Sequence, residues 1–136
     1  MISFNYETNF SLSDENKISL WISELFIAEK FKEGDINYIF CDDDYLHKLN
    51  VEFLNHDTLT DIISFDYSVG KIIQGDIFIS IERVKDNASD FKVSFLEELH
   101  RVIIHGVLHF CGYKDKTDED SKVMRSKENA YLERLS

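Results

Sequence analysis

The chain has 136 residues and a mass of 16.0 kDa, the size of one ordinary domain. Hydrophobic residues make up 43% and charged residues 30%, which supports a packed core and excludes disorder as the main state. With 15 basic and 26 acidic side chains the net charge is −11, which argues against a nucleic-acid binder held by bulk charge and leaves room only for a local basic patch.

The two cysteines, Cys41 and Cys111, are too few for a disulfide framework, so a reducing compartment is expected. Residues 1–10 show neither the basic region nor the apolar region of a targeting signal. The longest apolar stretch, residues 102–111, contains His105, Gly106 and His109 and is too short and too polar to span a bilayer. The expectation is a cytoplasmic protein with no membrane partner. Repeats, low-complexity tracts and linkers are absent from the sequence, so residues 1–136 read as one domain.

Residues 2–6 alternate as an edge strand would. Ser13 is the expected N-cap of a helix whose apolar stripe is Ile18, Trp21, Ile22, Leu25 and Phe26, with Gly34 ending that region. Residues 36–41, rich in β-branched and aromatic side chains, read as a strand. Asp42 or Asp43 caps a short helix with the stripe Leu46, Leu49 and Phe53, and a polar loop follows over residues 55–60. Strands are expected over residues 62–67 and 76–81, the second with Ile77, Ile79 and Ile81 on one side, close enough to pair as an antiparallel hairpin.

Ser94 followed by Glu97 is a capping box opening a helix over residues 95–111 that ends at Gly112. That helix is apolar nearly all round, through Leu96, Leu99, Val102, Ile103, Ile104, Val107, Leu108 and Phe110, and should therefore be buried on several sides. A second box, Thr117 followed by Asp120, opens a final amphipathic helix carrying Val123, Met124, Tyr131 and Leu135.

The chemistry lies on the buried helix. His105 and His109 are four residues apart, so they sit on one face about 40° apart, one turn above the other. Two imidazoles placed in this way can converge on one metal ion. Gly106 lies between them, where glycine costs about 1 kcal/mol relative to alanine, which points to a close approach at that position. Gly112 permits a sharp turn that brings Asp115 back as an oxygen ligand. The pattern His105-x-x-x-His109-x-x-Gly112-x-x-Asp115 has the ligand spacing of the metzincin-type zinc motif, with Asp in the last position. Three protein ligands leave a fourth position for water, whose pKa zinc lowers toward about 7.

Zinc peptidases carry a Glu directly after the first His as general base, and Gly106 stands there instead, so a peptidase is disfavoured. A hydrogen-bonded core histidine is the bland alternative for each imidazole. A solvated loop carboxylate is the bland alternative for Asp115, and Asp118 competes for its role. Thr60 and Asp61 read as turn residues before a strand, Asp76 as a turn residue, and His100 as structural.

The run His105-Gly106-Val107-Leu108-His109-Phe110-Cys111-Gly112-Tyr113 closely resembles the signature helix of the YbeY family, zinc-dependent, single-strand-specific endoribonucleases implicated in ribosomal RNA maturation. Leu49-Asn50, then Thr60-Asp61-Ile62-Ile63-Ser64-Phe65, then Gly75-Asp76-Ile77-Phe78-Ile79-Ser80 are similar to further family segments in the same order. The resemblance covers residues 36–124. It implies His105 and His109 as zinc ligands, with Asp115 where the family's third ligand, usually His, would stand. It also implies an α+β fold: a small mixed β-sheet of about four strands with the buried central helix carrying the metal motif across it.

The function implied is single-strand-specific endoribonuclease action in ribosomal RNA processing, carried by one Zn²⁺ per chain and a zinc-bound water at a His₂Asp site. The partners implied are single-stranded or ribosomal RNA and ribosomal proteins or the small ribosomal subunit. The sequence departs from the family where an Arg commonly follows an aromatic: here Leu54 follows Phe53. Lys48, Lys114, Lys116 or Arg101 are the candidates to hold phosphate in its place, with His56 a further neighbour. Two rival readings are a non-catalytic, metal-stabilised ribosome-assembly module and a zinc hydrolase of a small phosphate or amide substrate.

Overall fold

The computed structural model describes residues 1–55 and 60–135, so His56 and most of the loop expected around it lie outside the described residues. The chain runs β1 (Ile2–Tyr6), α1 (Glu15–Ala28), β2 (Lys32–Cys41), α2 (Asp43–Leu54), β3 (Ile62–Asp66), β4 (Ile72–Ser80), α3 (Ile81–Phe91), α4 (Phe95–Phe110) and α5 (Asp118–Leu135). The four strands form one sheet in the order β1-β2-β4-β3. β1, β2 and β4 run parallel, and β3 pairs antiparallel with β4 through Ile62↔Ile79 to Asp66↔Gly75. The fold is therefore α+β on a mixed four-stranded sheet, with β1 at one edge and the expected hairpin at the other.

Strand alternation assigns the two faces of the sheet. Ile36, Tyr38 and Phe40 of β2 and Ile73, Ile77 and Ile79 of β4 are buried in the main core with residues of α1, α4 and α5. The opposite face carries Cys41 and Ile63, covered by Leu46 of α2 with Leu49, Phe65 and Phe78 alongside. On α4, Leu99, Val102, Ile103, Ile104, Val107 and Leu108 are buried, and the helix packs against β3, β4, α3 and α5. Leu96 departs from the expected all-round burial: it is exposed on the first turn, whereas Glu98 is buried.

Several local expectations are corrected. Asp14, not Ser13, is the N-cap of α1, in the left-handed region at φ 57° and with no side-chain cap bond. Gly34 does not end α1, which stops at Ala28. It lies inside β2, where a Cβ would come 2.4 Å from Gln74 Cγ and 2.6 Å from the Ile73 carbonyl oxygen. The glycine admits β4 at the register shift between Glu33 and Ile36. Asp42 is the α2 cap, accepting from the Tyr45 amide at 2.8 Å. Phe53 and Val123, placed on apolar stripes from spacing, are exposed. Asp76 sits within β4 and accepts from the Asn37 side-chain amide at 3.1 Å, so it is a strand residue, not a turn residue.

α3 is the element missing from the sequence reading. The alternation Ile77, Ile79, Ile81 reads as one strand, but the strand ends at Ser80, whose hydroxyl accepts from the Arg83 amide at 3.2 Å and starts a helix. Ile81, Val84 and Ala88 then form its buried stripe.

Two polar anchors, one buried and one partly buried, hold the helices. The Tyr38 hydroxyl donates to the Ile103 carbonyl at 2.9 Å, tying α4 to β2 beside the histidines. Glu29, at the C-terminus of α1, accepts from the Tyr113 hydroxyl at 2.6 Å, from the Tyr131 hydroxyl and from Lys127 at 3.3 Å. Burial would raise the Glu29 pKa, but these donors outweigh it and hold the carboxyl below its ordinary value of 4.5. Cys41 and Cys111 are free thiols. Among the described residues no helix is long and apolar enough to cross a membrane.

A Cβ on Gly75 would lie 2.5 Å from the Phe65 carbonyl oxygen and 2.6 Å from Phe110 Cζ. Gly75→Ala should therefore lower unfolding stability by about 1–3 kcal/mol in urea titration, as overpacking does. Glu29→Gln should cost about 1 kcal/mol at pH 7, since a charge-assisted set of hydrogen bonds becomes a neutral one. The folded-state pKa of Glu29 is depressed, so its contribution is present above 4.5 and lost as pH falls through the lower folded value. The stability gap between wild type and the variant should close in acid and stay constant from pH 6 to 8.

Candidate metal centre

The site is built at the C-terminal half of α4 and the turn after it. Ser94 caps the helix by accepting from the Glu97 amide at 3.1 Å, which is one half of the expected box. Gly106 is buried against the sheet: a Cβ there would meet Ile77 Cδ1 at 3.0 Å and Ile62 Cδ1 at 3.1 Å. The missing side chain thus has a packing reason. It also shows that position 106 faces the core, so a carboxylate there would point into apolar side chains.

His105 and His109 both stay partly exposed, with side chains 20% and 32% accessible and ring centroids 4.5 Å apart. The helix ends at Phe110. Gly112, at φ 102°, donates to the His109 carbonyl and Tyr113 donates to the Leu108 carbonyl, reversing the chain. The turn is pinned on both sides of Asp115. Tyr113 is held by Glu29, and the Ser121 hydroxyl donates to the Asp115 carbonyl at 2.8 Å. Thr117 caps α5 by accepting from the Asp120 amide at 3.0 Å, as expected.

As a result Asp115 Oδ2 lies 3.2 Å from His105 Nε2 and 3.3 Å from His109 Nε2. Among the described residues His105, His109 and Asp115 form a group that could hold a metal ion, one ligand atom from each lying within 4.8 Å of the others. Asp118, the competitor for Asp115, sits exposed in the first turn of α5 and is not in that group. The donor set fits zinc. Bonds of about 2.0–2.1 Å in tetrahedral geometry place neighbouring ligand atoms roughly 3.3 Å apart, the spacing that Asp115 makes with both rings.

His105 has a second contact that the sequence reading did not foresee. Its Nδ1 lies 2.6 Å from Glu128 Oε2 on α5, and Glu128 Oε1 accepts from Arg101 at 3.0 Å. Glu128 is buried. Burial disfavours its charge, and His105 and Arg101 reverse that and hold its pKa below the ordinary value. For His105, burial lowers the pKa, but Glu128, then Asp115 and Asp61, outweigh it and raise the pKa above the ordinary value. A signal for Glu128 was present: it interrupts the buried stripe Met124, Tyr131, Leu135 at helical spacing. Arg101, a candidate phosphate group, is engaged by Glu128 instead.

A cavity of about 270 Å³ beside His105 is lined by Asp61, Ile62, Asp115, Arg125 and Glu128 among others, and on the other side of Ile62 lies an open cleft of about 600 Å³ lined by Asn50, Leu54, Thr60, Ile63, Ser64 and Lys116. Ile62 lines both the cleft and the cavity that contains His105 and Asp115, so the cleft adjoins the metal group. The Thr60 hydroxyl donates to the Ile62 carbonyl at 3.3 Å, in keeping with a turn role. Asp61 accepts from Asn87 at 3.4 Å, and burial raises its pKa. Ser64 is exposed on β3. His100 packs edge-on against Trp21, away from the group, as its structural reading requires. Lys48 and Lys114 are exposed and line neither the cleft nor the cavity beside His105.

Comparison with known proteins identifies the family. The sequence model of the family described as "Endoribonuclease YbeY" matches residues 3–136. A Flavobacterium johnsoniae protein named endoribonuclease YbeY is 67% identical over 129 residues, covering 95% of this chain and 93% of its own. One of the same name from Flavobacterium psychrophilum is 62% identical over 132 residues, covering 97% and 94%. A Thermotoga maritima protein of known solution structure superposes with a TM-score of 0.74 at 31% identity, covering 99% of this chain and 89% of that one. With a match of this extent the chain belongs to the endoribonuclease YbeY family.

Proposed function

We propose that residues 1–136 act as one metallohydrolase domain that cleaves phosphodiester bonds in single-stranded RNA during ribosomal RNA maturation. The observation that carries this reading is the convergence of His105 Nε2, His109 Nε2 and Asp115 Oδ2 in a chain of this family. His105, His109 and Asp115 hold Zn²⁺, one per chain. Bound there, zinc supplies a Lewis acid for a phosphoryl oxygen and lowers the pKa of a coordinated water.

The protein's own groups do the rest. The cleft beside Asp115 takes the RNA strand. Lys116 holds a phosphate across from Leu54, in place of the family's Arg, and the exposed Ser64 offers a hydrogen bond. Single strands are favoured because an open cleft on a small domain admits one backbone with its bases splayed. With a net charge of −11, affinity for naked RNA is low, so ribosomal proteins or the small ribosomal subunit supply further docking contacts in the cytoplasm.

The test is cleavage by zinc-loaded protein of a labelled single strand and of the same sequence as a duplex. The single strand should be cut and the duplex spared, and His105→Ala should reduce cleavage by more than about 100-fold. Lys116→Ala should weaken binding across sequences and reduce the slope of log affinity against log salt by about 1. If the loaded wild type cuts no single-stranded or ribosomal RNA, and a His105→Ala strain processes ribosomal RNA normally, the reading is wrong.

A further inference from the structure

Glu128 is a charged side chain on a face that otherwise builds the core. Met124, Tyr131 and Leu135 on the same stripe of α5 are buried apolar or aromatic residues, and the Glu128 side chain is only 6% exposed. A buried carboxylate is destabilising unless each of its oxygens is well paired. Arg101 at 3.0 Å satisfies one oxygen and neutralises the charge. The other oxygen is directed at His105 Nδ1, at 2.6 Å, the shortest contact either partner makes in the site.

A carboxylate can only accept, so the proton in this contact sits on Nδ1. Nε2 faces a second carboxylate, Asp115 at 3.2 Å, so without a metal it too has a proton acceptor opposite it; a metal ion at Nε2 would take that proton's place, leaving the Nδ1–H tautomer with its lone pair on Nε2. An imidazole ligand needs both this tautomer and this orientation, and a carboxylate on the far nitrogen provides them while raising ligand basicity. The Arg101–Glu128–His105 chain also joins α4 to α5: Arg101 and His105 lie one turn apart on α4, and Glu128 spans them from α5.

We propose that Glu128, itself held by Arg101, is the positioning residue of the metal centre: it fixes His105 as the Nδ1–H tautomer with Nε2 aimed at the Asp115–His109 pair. This inference rests on the reading of His105 as a metal ligand. Glu128 touches neither substrate nor Asp115 in this scheme. It acts through the ring.

The experiment measures zinc affinity by competition with a chromophoric chelator for wild type, Glu128→Ala, Glu128→Gln and Arg101→Met, alongside thermal unfolding of each metal-free protein. It is paired with long-range ¹⁵N correlation spectra of the His105 ring. Glu128→Ala should weaken zinc binding by about 10–100-fold and abolish the Nδ1–H pattern. Glu128→Gln, which keeps an accepting oxygen, should retain the tautomer and recover most of the affinity. Arg101→Met leaves the Glu128–His105 contact, so the tautomer should persist even if the protein melts at lower temperature.

Zinc binding and ring tautomer untouched in a folded Glu128→Ala protein, with only the melting temperature lowered, or Glu128→Gln losing as much zinc affinity as Glu128→Ala, would make Glu128 a core ion pair and overturn the proposal alone. Absence of zinc binding by wild type, or zinc retained with full affinity in His105→Ala, would overturn the metal reading itself and the proposal with it.

Discussion

The contact between α4 and the sheet at Gly106 sets the rest of the structure. The helix is pressed so near β3 and β4 that a methyl group at 106 would meet the tips of Ile77 and Ile62 at 3.0 and 3.1 Å. That approach turns one face of α4 into core. It leaves the flank carrying His105 and His109 toward the opening between Ile62, the turn after α4, and α5. Two imidazoles one turn apart on a rigid, buried helix lose little further freedom on binding a ligand, which is how a rigid scaffold preorganises a metal site. The sparing of a side chain at 106 is a helix-propensity loss of about 1 kcal/mol, offset by the packing it permits.

The third donor comes from a less regular segment, so other contacts immobilise it. Asp115 lies between Tyr113, whose hydroxyl reaches Glu29 at the end of α1, and Ser121, whose hydroxyl reaches the Asp115 carbonyl. The partly buried Glu29 carboxylate gathers donors from the turn and from α5, linking the end of α1, the turn after α4 and the C-terminal half of α5. Behind the histidines, the Glu128–Arg101 pair joins α4 to α5. The same three helices that make the core therefore also hold the three converging side chains, and fold stability and site geometry are coupled through α5.

Much of this was legible in the sequence, for definite reasons. The α4 helix has a serine cap, a glycine stop and strong apolar content, and two histidines four apart on it can only share a face. The β3–β4 hairpin follows from two alternating runs separated by a short connection. α3 was not legible, because Ile81 continues the alternation of Ile77 and Ile79 while in fact beginning a helix behind the Ser80 cap. Gly34 reads as a helix stop by type alone, and only the neighbouring strand shows that it is there for close approach. Glu128 was missed for a similar reason. A lone acid on a charged helix reads as solvated until the fold brings His105, 23 residues earlier, to its side. The parallel pairing of β1, β2 and β4 is a long-range choice that no local pattern encodes.

The central claim is that His105, His109 and Asp115 form one three-ligand zinc site. It is tested most directly by the metal content of protein purified without chelator, measured by mass spectrometry for wild type, His109→Ala and Asp115→Ala, with circular dichroism to verify folding. The proposed site predicts about one zinc per chain in the wild type and its loss from both folded variants. A metal-free wild type, with both variants folded as before, would contradict it and return the three side chains to the role of hydrogen-bonded core histidines and a surface carboxylate.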